Sequence, residues 1–234
     1  MKKKSPVRTV AAGCIGNLLE WYDFALYGFF APVIAKLFFP SDDHLISLMV
    51  TFGVFAMGFL MRPVGSLLFG YLGDMLGRKR ALEISVIMMA LPTTLIGVLP
   101  TEADIGIAAP ILLTMLRLFQ GVSIGGEFTG SVSFVTEHAP PGRRGFFGSW
   151  TVFTVFGGIL LGSGISSLFN HIFSYEDIES WAWRIPFLLG IFVGLYGLYL
   201  RRGLEESPSF TNLRESGQLS KTPVKEALRG HWQS

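Results

Sequence analysis

The stretch Gly16-Asn-Leu-Leu-Glu-Trp-Tyr-Asp-Phe24 places two carboxylates, Glu20 and Asp23, inside a long apolar run. A charged side chain at the centre of a membrane-spanning helix costs about 2.5–3.5 kcal/mol, so such residues are rare there and mark functional sites. The stretch therefore predicts a membrane helix whose acids are used inside the bilayer. It indicates a protein that moves a polar solute across a membrane.

The composition of the whole chain agrees with a membrane protein. Half of its residues are hydrophobic, only 15% are charged, and Phe occurs 21 times, whereas soluble domains carry about 25% charged residues. A helix needs about 20 mostly apolar residues to cross a hydrocarbon core of about 30 Å. Six segments meet this requirement, at about 10–38, 46–72, 82–100, 107–135, 146–170 and 184–201. The predicted fold class is an all-α membrane protein with six transmembrane helices.

The positively charged residues predict the orientation of these helices. Most of the 19 Lys and Arg lie on one side, while the opposite loops are acidic. The basic side holds Lys2, Lys3, Lys4, Arg8, Arg78, Lys79, Arg80, Arg143, Arg144, Arg201, Arg202, Arg214, Lys221, Lys225 and Arg229. By the positive-inside rule, both termini are expected in the cytoplasm, with the chain in the plasma (inner) membrane. The net charge of +2 reflects this asymmetry and gives no basis for nucleic-acid binding.

Helical spacing groups the polar residues of the first span on one face. The stripe consists of Asn17, Glu20, Asp23 and Tyr27. Residues three or four apart share a helix face, so this polar stripe is expected to face other helices or water. A network of hydrogen bonds between helices explains Asn17 and Tyr27, but the two acids favour a transport path. Trp21 and Tyr27 also offer aromatic faces to a cationic ligand.

The second and fourth spans carry further charges. The fourth span has a polar stripe of Arg117, Gln120, Ile124, Glu127 and Ser131. In the second span Arg62 precedes Pro63, whose missing N–H predicts a kink beside a buried guanidinium. Over these three spans two arginines face three acids, so one carboxylate is expected to be unpaired or protonated.

The depth of each charge along its helix predicts different roles. At about 1.5 Å per residue, Glu20, Arg62 and Glu127 lie roughly 5–9 Å to one side of the midplane, Asp23 is central, and Arg117 lies roughly 6 Å to the other side. Arg62 is therefore predicted to belong to a structural ion pair, Arg117 to be free for an anionic group, and Asp23 to be free to load a proton. Glu20 is the second candidate for proton coupling. The predicted substrate-binding residues are Arg117, Gln120, Glu127, Asn17, Trp21 and Tyr27.

The segment Gly70-Tyr-Leu-Gly-Asp-Met-Leu-Gly-Arg-Lys-Arg80 joins the second and third spans. It resembles the signature loop of the major facilitator superfamily, Gly-x-Leu-small-Asp-x-x-Gly-Arg-Lys/Arg-x, at every key position. Other motifs resemble the metabolite:H⁺ symporter family within that superfamily, and together they cover nearly the whole chain. They are Glu20-Trp-Tyr-Asp-Phe24, Arg62-Pro-Val-Gly65, Arg117-x-x-Gln-Gly121, Gly125-Gly-Glu127, Trp183-Arg-Ile-Pro-Phe187 and Arg201-Arg-x-x-Glu-Glu-Ser-Pro-x-Phe210.

The resemblance implies a fold, a function and a gate. Members of that family carry osmolytes such as proline and betaine, or carboxylates such as 2-oxoglutarate, citrate and shikimate, driven by the proton gradient. Their twelve spans form two six-span halves, and each half is a 3+3 inverted repeat. By that similarity, Asp74 and Arg78 belong to an inner gate, while Arg117, Glu127 and the acids of the first span line the central cavity. The gating loop comprises Gly70, Gly73, Asp74, Gly77 and Arg78.

The sequence corresponds to one of the two halves. Residues 1–202 match the six-span N-terminal half, and residues 203–234 match the start of the central cytoplasmic loop. Two functions stay open. One is a proton-coupled symporter for a small zwitterionic osmolyte or organic acid, of proline/betaine type, present here as a truncated or half-length chain that pairs with a second six-span half. The other is a non-transporting remnant or regulatory half that associates with another membrane subunit.

Several other features indicate packing rather than chemistry. The histidines His44, His138, His171 and His231 lie away from the span centres, so no haem, metal ion or other cofactor is predicted. No nucleophile and base lie together at depth, so an enzyme is not expected. The single cysteine, Cys14, is expected to be packed inside the first span. Glycine pairs at small-x-x-x-small spacing predict close helix packing, at Gly121 and Gly125, Gly126 and Gly130, Gly158 and Gly162, and Gly190 and Gly194.

Overall fold

The computed structural model describes residues 6–216, and the regular structure in that range is entirely helical. In chain order the helices are α1 (Pro6–Phe29), α2 (Ala31–Phe38), α3 (His44–Leu60), α4 (Arg62–Leu76), α5 (Arg78–Val98), α6 (Glu102–Ile105), α7 (Ala108–Glu137), α8 (Arg144–Ile172), α9 (Tyr175–Asp177), a π-helical turn (Ile178–Ala182), α10 (Arg184–Arg202) and α11 (Pro208–Glu215). The predicted all-α class is confirmed. The basic residues Lys2, Lys3, Lys4, Lys221, Lys225 and Arg229, together with His231, lie outside the described residues.

Within residues 6–216, five stretches are long and apolar enough to cross a bilayer. They are His44–Leu76, Arg78–Val98, Ala108–Glu137, Arg144–Ile172 and Arg184–Arg202. The remaining predicted span consists of α1 and α2. Its first helix has 24 residues, but it carries Asn17, Glu20 and Asp23 among its apolar side chains. α1 is therefore long enough to cross a bilayer, but its polar stripe makes it less apolar than the other five spans.

Two of the predicted spans are interrupted by proline. α3 ends at Leu60 and α4 begins at Arg62, so the helix is interrupted just before Pro63, where the sequence predicts a kink. The first span breaks in the same way at Phe30, just before Pro32, although no kink is predicted there from sequence. In both places the proline lacks the N–H that would continue the helix and its ring crowds the preceding turn.

The helices approach closely where glycines face each other, as the small-x-x-x-small pairs predict. At Gly121 of α7, an added Cβ would collide with the backbone of Gly58 in α3, and at Gly125 it would collide with the backbone of Gly65 in α4. Gly158 and Gly162 of α8 likewise face the backbone and side chains of α1. Gly190 and Gly194 of α10 face Thr93 and Ala90 of α5. The glycines of α7 and α8 thus pack α7 against α3 and α4, and α1 against α8, with the polar stripes of α1 and α7 buried in the bundle.

Gly121→Ala is expected to destabilise the bundle by about 1–3 kcal/mol, because the added methyl meets backbone atoms that cannot rotate away. Gly164→Ala is a matched control, since it is also inside a helix and an added Cβ there meets nothing within 4 Å. That control is expected to be neutral or slightly stabilising, because alanine favours helix more than glycine does. Thermal unfolding in detergent measures both changes. Equal effects of the two substitutions would contradict the close approach of α3 and α7.

The two ends of the bundle differ in charge. The end that holds the α4–α5 and α7–α8 connections, here named the basic end, carries Arg78, Lys79, Arg80, Arg143 and Arg144. The opposite, acidic end carries carboxylates that cap helices. Asp43 accepts a hydrogen bond from the backbone N–H of Leu45 at 2.9 Å. Hydrogen bonds from the backbone amide and hydroxyl of Thr101 lower the pKa of Asp104, which keeps this cap ionised.

Candidate functional site

A buried charged centre joins α1, α5 and α7. Asp23 is fully buried and forms an ion pair with Nη1 of Arg117. The Oδ1 atom of Asp23 accepts hydrogen bonds from Thr93 Oγ1 at 2.9 Å and from Gln120 Nε2 at 3.1 Å. Gln120 Oε1 accepts from Arg117 Nη1 at 2.9 Å. These four side chains form one network, which is named the central site.

The Arg117 guanidinium uses only part of its hydrogen-bonding capacity. Arg117 is 2% exposed, and its Cζ atom lies 3.9 Å from the centroid of the Tyr27 ring, as in a cation–π contact. Tyr27 also stacks on Phe55 at a centroid distance of 5.4 Å and donates to the Thr51 carbonyl at 3.2 Å. The Nε and Nη2 atoms of Arg117 are buried without a hydrogen-bond partner in residues 6–216. An anionic group on a ligand would satisfy these donors.

A second ion pair lies nearer the basic end and joins α1 to α4. Oε1 of Glu20 accepts from Nη2 of Arg62 at 3.2 Å. The Arg62 guanidinium lies 4.3 Å from the centroid of Phe59 and 5.6 Å from that of Phe24. The Glu20 side chain is 4% exposed, while that of Arg62 is 33% exposed. The pair therefore sits at the edge of the interior, with the acid on the inner side.

A third ion pair involves Arg201 in the last turn of α10. Its Nη2 pairs with Oε1 of Glu127 in α7. Its Nε donates to the Ala12 carbonyl of α1 at 2.8 Å, and its Nη1 donates to the Leu82 carbonyl of α5. The Ser85 hydroxyl is hydrogen-bonded to the other oxygen of Glu127. Arg201 thus ties four helices together, and we name these residues the inner cluster.

These pairs correct three expectations from sequence. Arg117 and Asp23 are not free but paired with each other, because the arginine side chain spans the axial offset of roughly 6 Å between them. Arg201, which the sequence places among the cations of the basic side, is instead buried, since it is 1% exposed and pairs with Glu127. Three arginines therefore face three acids, and the expected carboxylate without a cation is not found among these residues.

The other predicted binding residues divide between two depths. Gln120 belongs to the central site and Tyr27 lies against it, whereas Asn17 and Glu127 lie nearer the basic end. Glu127 is ten residues beyond Arg117 on α7, which corresponds to about 15 Å. Asn17 Nδ2 donates to Ser131 Oγ at 2.7 Å, and its Oδ1 is buried without a partner in the described range. Trp21 is half-buried and packs edge-on against Phe24 at 5.6 Å.

The predicted gating loop lies at the basic end and is held by residues that follow α10. Gly77 has a φ of +97°, a conformation that favours glycine, and it separates α4 from α5. Oδ1 of Asp74 lies 4.0 Å from Nη2 of Arg78, and the Asp74 side chain is about half exposed. Glu206, which has no predicted role, accepts hydrogen bonds from the Lys79 backbone N–H at 3.0 and 3.3 Å.

The side chain of Lys79 also contacts the C-terminal end of α10. Its Nζ donates to the carbonyls of Arg202 at 3.1 Å and Leu204 at 2.9 Å. An acid therefore sits at the positive end of α5 and a cation at the negative end of α10, and both placements favour the helix dipoles. Gly70 borders open space, and Gly73 packs near the Arg78 guanidinium.

Glu206→Ala is expected to weaken the start of α5 by about 1–2 kcal/mol, because it removes the acceptor of a half-buried helix N-terminus. Hydrogen exchange of the amides at Lys79 and its neighbours measures this change, and exchange should become faster. Glu205→Ala is the matched control, because Glu205 is the exposed adjacent acid. Unchanged protection in Glu206→Ala would show that this carboxylate does not hold the loop.

The chain is similar to known transporters over most of its length. Residues 9–232 match the family model described as sugar (and other) transporter. The chain is 41% identical over 236 residues to the proline/betaine transporter of Salmonella typhimurium, and the aligned region covers 97% of this chain and 47% of that protein. It is 42% identical over 203 residues to the glycine betaine/proline/ectoine/pipecolic acid transporter of Dickeya dadantii, covering 87% of this chain and 40% of that protein. The chain thus spans about half the length of these relatives.

The fold is similar to solved structures of a xylose transporter. The partially occluded inward-open form of XylE from E. coli has a TM-score of 0.80 at 18% identity and covers 92% of this chain and 51% of that chain. The proton:xylose symporter XylE bound to 6-bromo-6-deoxy-D-glucose, a member of the major facilitator superfamily, has a TM-score of 0.81 at 18% identity and covers 92% of this chain and 47% of that chain. At this identity the likeness concerns the fold, and it matches one half of the longer chains.

Proposed function

This chain belongs to the sugar (and other) transporter family of the major facilitator superfamily, a family of transporters and not of enzymes, and from that premise we propose that it forms one six-helix half of a proton-coupled symporter. The proposed substrate is a small zwitterionic osmolyte of the proline/betaine type. The relatives named for proline and betaine support this choice. The observation that carries it is the buried Asp23–Arg117 pair, in which the guanidinium keeps two unpartnered donors.

Arg117 is the proposed binding group for the substrate carboxylate. Its Nε and Nη2 atoms offer two donors, and paired donors of one guanidinium match the two oxygens of a carboxylate. A dicarboxylate would need a second available cation, but Arg62 and Arg201 already pair with Glu20 and Glu127. A zwitterion therefore suits this half better than a dicarboxylate. Gln120, Asn17, Trp21, Tyr27 and Glu127 are the further residues proposed to line the path.

Asp23 is the proposed proton carrier, and Glu20 is the second carboxylate proposed to take part in coupling. Protonation of Asp23 would remove the anionic partner of Arg117, and the carboxylate of a substrate would replace it. This exchange links the two solutes, because a buried guanidinium without a counter-charge is strongly unfavourable.

The remaining proposals concern placement in the membrane. The basic end is proposed to face the cytoplasm of a bacterial inner membrane, which places both termini there. The loop of Gly70, Gly73, Asp74, Gly77 and Arg78 is the proposed inner gate. A second six-helix half is the proposed partner, because the relatives are about twice as long as the matched region.

Uptake into proteoliposomes that contain the purified chain together with a second six-helix half tests this function, because the chain is proposed as one half of the symporter. With an imposed inward proton gradient, labelled proline or betaine is expected to accumulate, and a protonophore is expected to abolish the accumulation. Labelled 2-oxoglutarate in a parallel assay tests the substrate class. Accumulation of 2-oxoglutarate alone would overturn the zwitterion proposal. Absence of any gradient-driven uptake when both halves are correctly folded would overturn transport by this chain.

A further inference from the structure

One buried oxygen next to the central site has no hydrogen-bond partner. Glu20 binds Arg62 through Oε1, but its Oε2 atom is buried and contacts no donor in residues 6–216. A buried carboxylate oxygen without a donor is costly, more so than a neutral acceptor. The Glu20 side chain is 4% exposed, so we expect a cationic or donor group from outside the described residues to contact its Oε2 atom.

Arg62 does not neutralise this acid fully. The guanidinium reaches Glu20 by one bond of 3.2 Å, although two parallel bonds are the favoured geometry of such a pair. Its position 4.3 Å from the centroid of the Phe59 ring and 5.6 Å from that of Phe24 holds it away from the second oxygen. The Arg62 Nε atom is also left without a partner.

Three of the aromatic rings near the acids already face arginines. Tyr27 faces Arg117, and Phe24 and Phe59 face Arg62. A substrate cation that bound these ring faces would have to displace a guanidinium. The free oxygen of Glu20 requires no such displacement, and it lies one helical turn from Asp23 on the same face of α1.

We infer that Glu20 is the subsite for the cationic nitrogen of the substrate, while Arg117 receives its carboxylate. This inference rests on the proposed function and deepens it. One end of the ligand meets unpartnered donors of Arg117, and the other end meets the unpartnered acceptor of Glu20. The two subsites together select zwitterions over carboxylates of the same shape. They leave Asp23 as the group that carries the proton.

Betaine and 3,3-dimethylbutanoate provide a matched pair of ligands for the test. The two have the same shape and carboxylate, but the second has carbon in place of the cationic nitrogen. Isothermal titration with the full chain in lipid nanodiscs is expected to show betaine binding at least about tenfold more tightly, as expected for one charge-assisted contact. Glu20→Gln is expected to reduce that preference to about twofold or less. Glu83→Gln, an acid at the basic end, is the control and should retain the preference.

The ratio of the two affinities does not depend on the fraction of active protein. A preference that persists in Glu20→Gln and disappears in Trp21→Leu would overturn the inference in favour of an aromatic subsite. If Glu20→Gln does not fold, equal affinity of the unsubstituted chain for the two ligands would overturn it instead. Binding of neither ligand by the unsubstituted chain would overturn the proposed function as well, which distinguishes the two failures.

Discussion

Replacing Arg201 with Met is expected to lower the free energy of unfolding of the bundle by about 3–5 kcal/mol, because it leaves Glu127 as a buried charge without a partner. Arg201 is 1% exposed, so water cannot compensate for the loss. The substitution also removes the donors to the carbonyls of Ala12 in α1 and Leu82 in α5. The four helices α1, α5, α7 and α10 therefore lose a contact that they share.

Chemical unfolding in mixed micelles measures the change in stability, and Cys14 reports where the structure opens. Cys14 is the only cysteine of the chain, and it is fully buried in α1 two residues from Ala12. The rate at which a thiol reagent labels it under native conditions reflects local opening around α1. Labelling is expected to be faster in Arg201→Met.

Two further variants separate the ion pair from general packing. Arg202→Met alters the adjacent exposed arginine and is expected to change stability by less than about 0.5 kcal/mol. The double variant Glu127→Gln/Arg201→Met is expected to be more stable than Arg201→Met alone, because it leaves no buried charge. A double variant no more stable than the single one would show that the guanidinium acts through its backbone contacts.

The members of the central site can largely be predicted from helical spacing. Asp23 lies on the polar stripe of α1, and Arg117 and Gln120 lie on that of α7. Such stripes must meet inside the bundle, because lipid does not satisfy polar groups. The pairing of particular charges is not predictable in this way, since it depends on the rotation and offset of packed helices. Thr93, which donates to Asp23, shows no charge or periodicity that would single it out.

Arg201 was detectable in principle from its position on α10. It follows Gly190, Gly194 and Gly197 at spacings of four, three and four residues, which place it on the face that packs against α5 and α1. A pair of arginines at the end of an apolar segment usually marks the membrane boundary. Arg201 and Arg202 fit that pattern, so the burial of Arg201 is not evident from the sequence. The contact of Glu206 with Lys79 joins residues 127 positions apart, and no local pattern indicates it.

Asp23→Asn is expected to abolish uphill accumulation of substrate, the largest functional effect among these substitutions. Asparagine has nearly the same shape as aspartate, but it cannot take up a proton under these conditions. In the proposed mechanism the proton on Asp23 releases Arg117 for the substrate carboxylate. A permanently neutral residue leaves Arg117 available at all times, so substrate binds and exchanges without a proton.

Two assays on the same proteoliposomes separate these steps. The ratio of internal to external substrate under an imposed proton gradient is expected to fall to about one in Asp23→Asn. Exchange of labelled for unlabelled substrate without a gradient is expected to remain measurable. Asp42→Asn, which alters an exposed acid in the loop before α3, is the control and should keep gradient-driven accumulation.

The outcome of both assays decides which role the buried acid has. Undiminished accumulation in Asp23→Asn would show that the proton is carried elsewhere, and Glu20 would then be the remaining carboxylate on that face of α1. Loss of exchange together with accumulation, in protein that remains folded, would assign Asp23 to binding of substrate. Only loss of accumulation with preserved exchange fits a residue whose charge, and not its shape, couples the proton to Arg117.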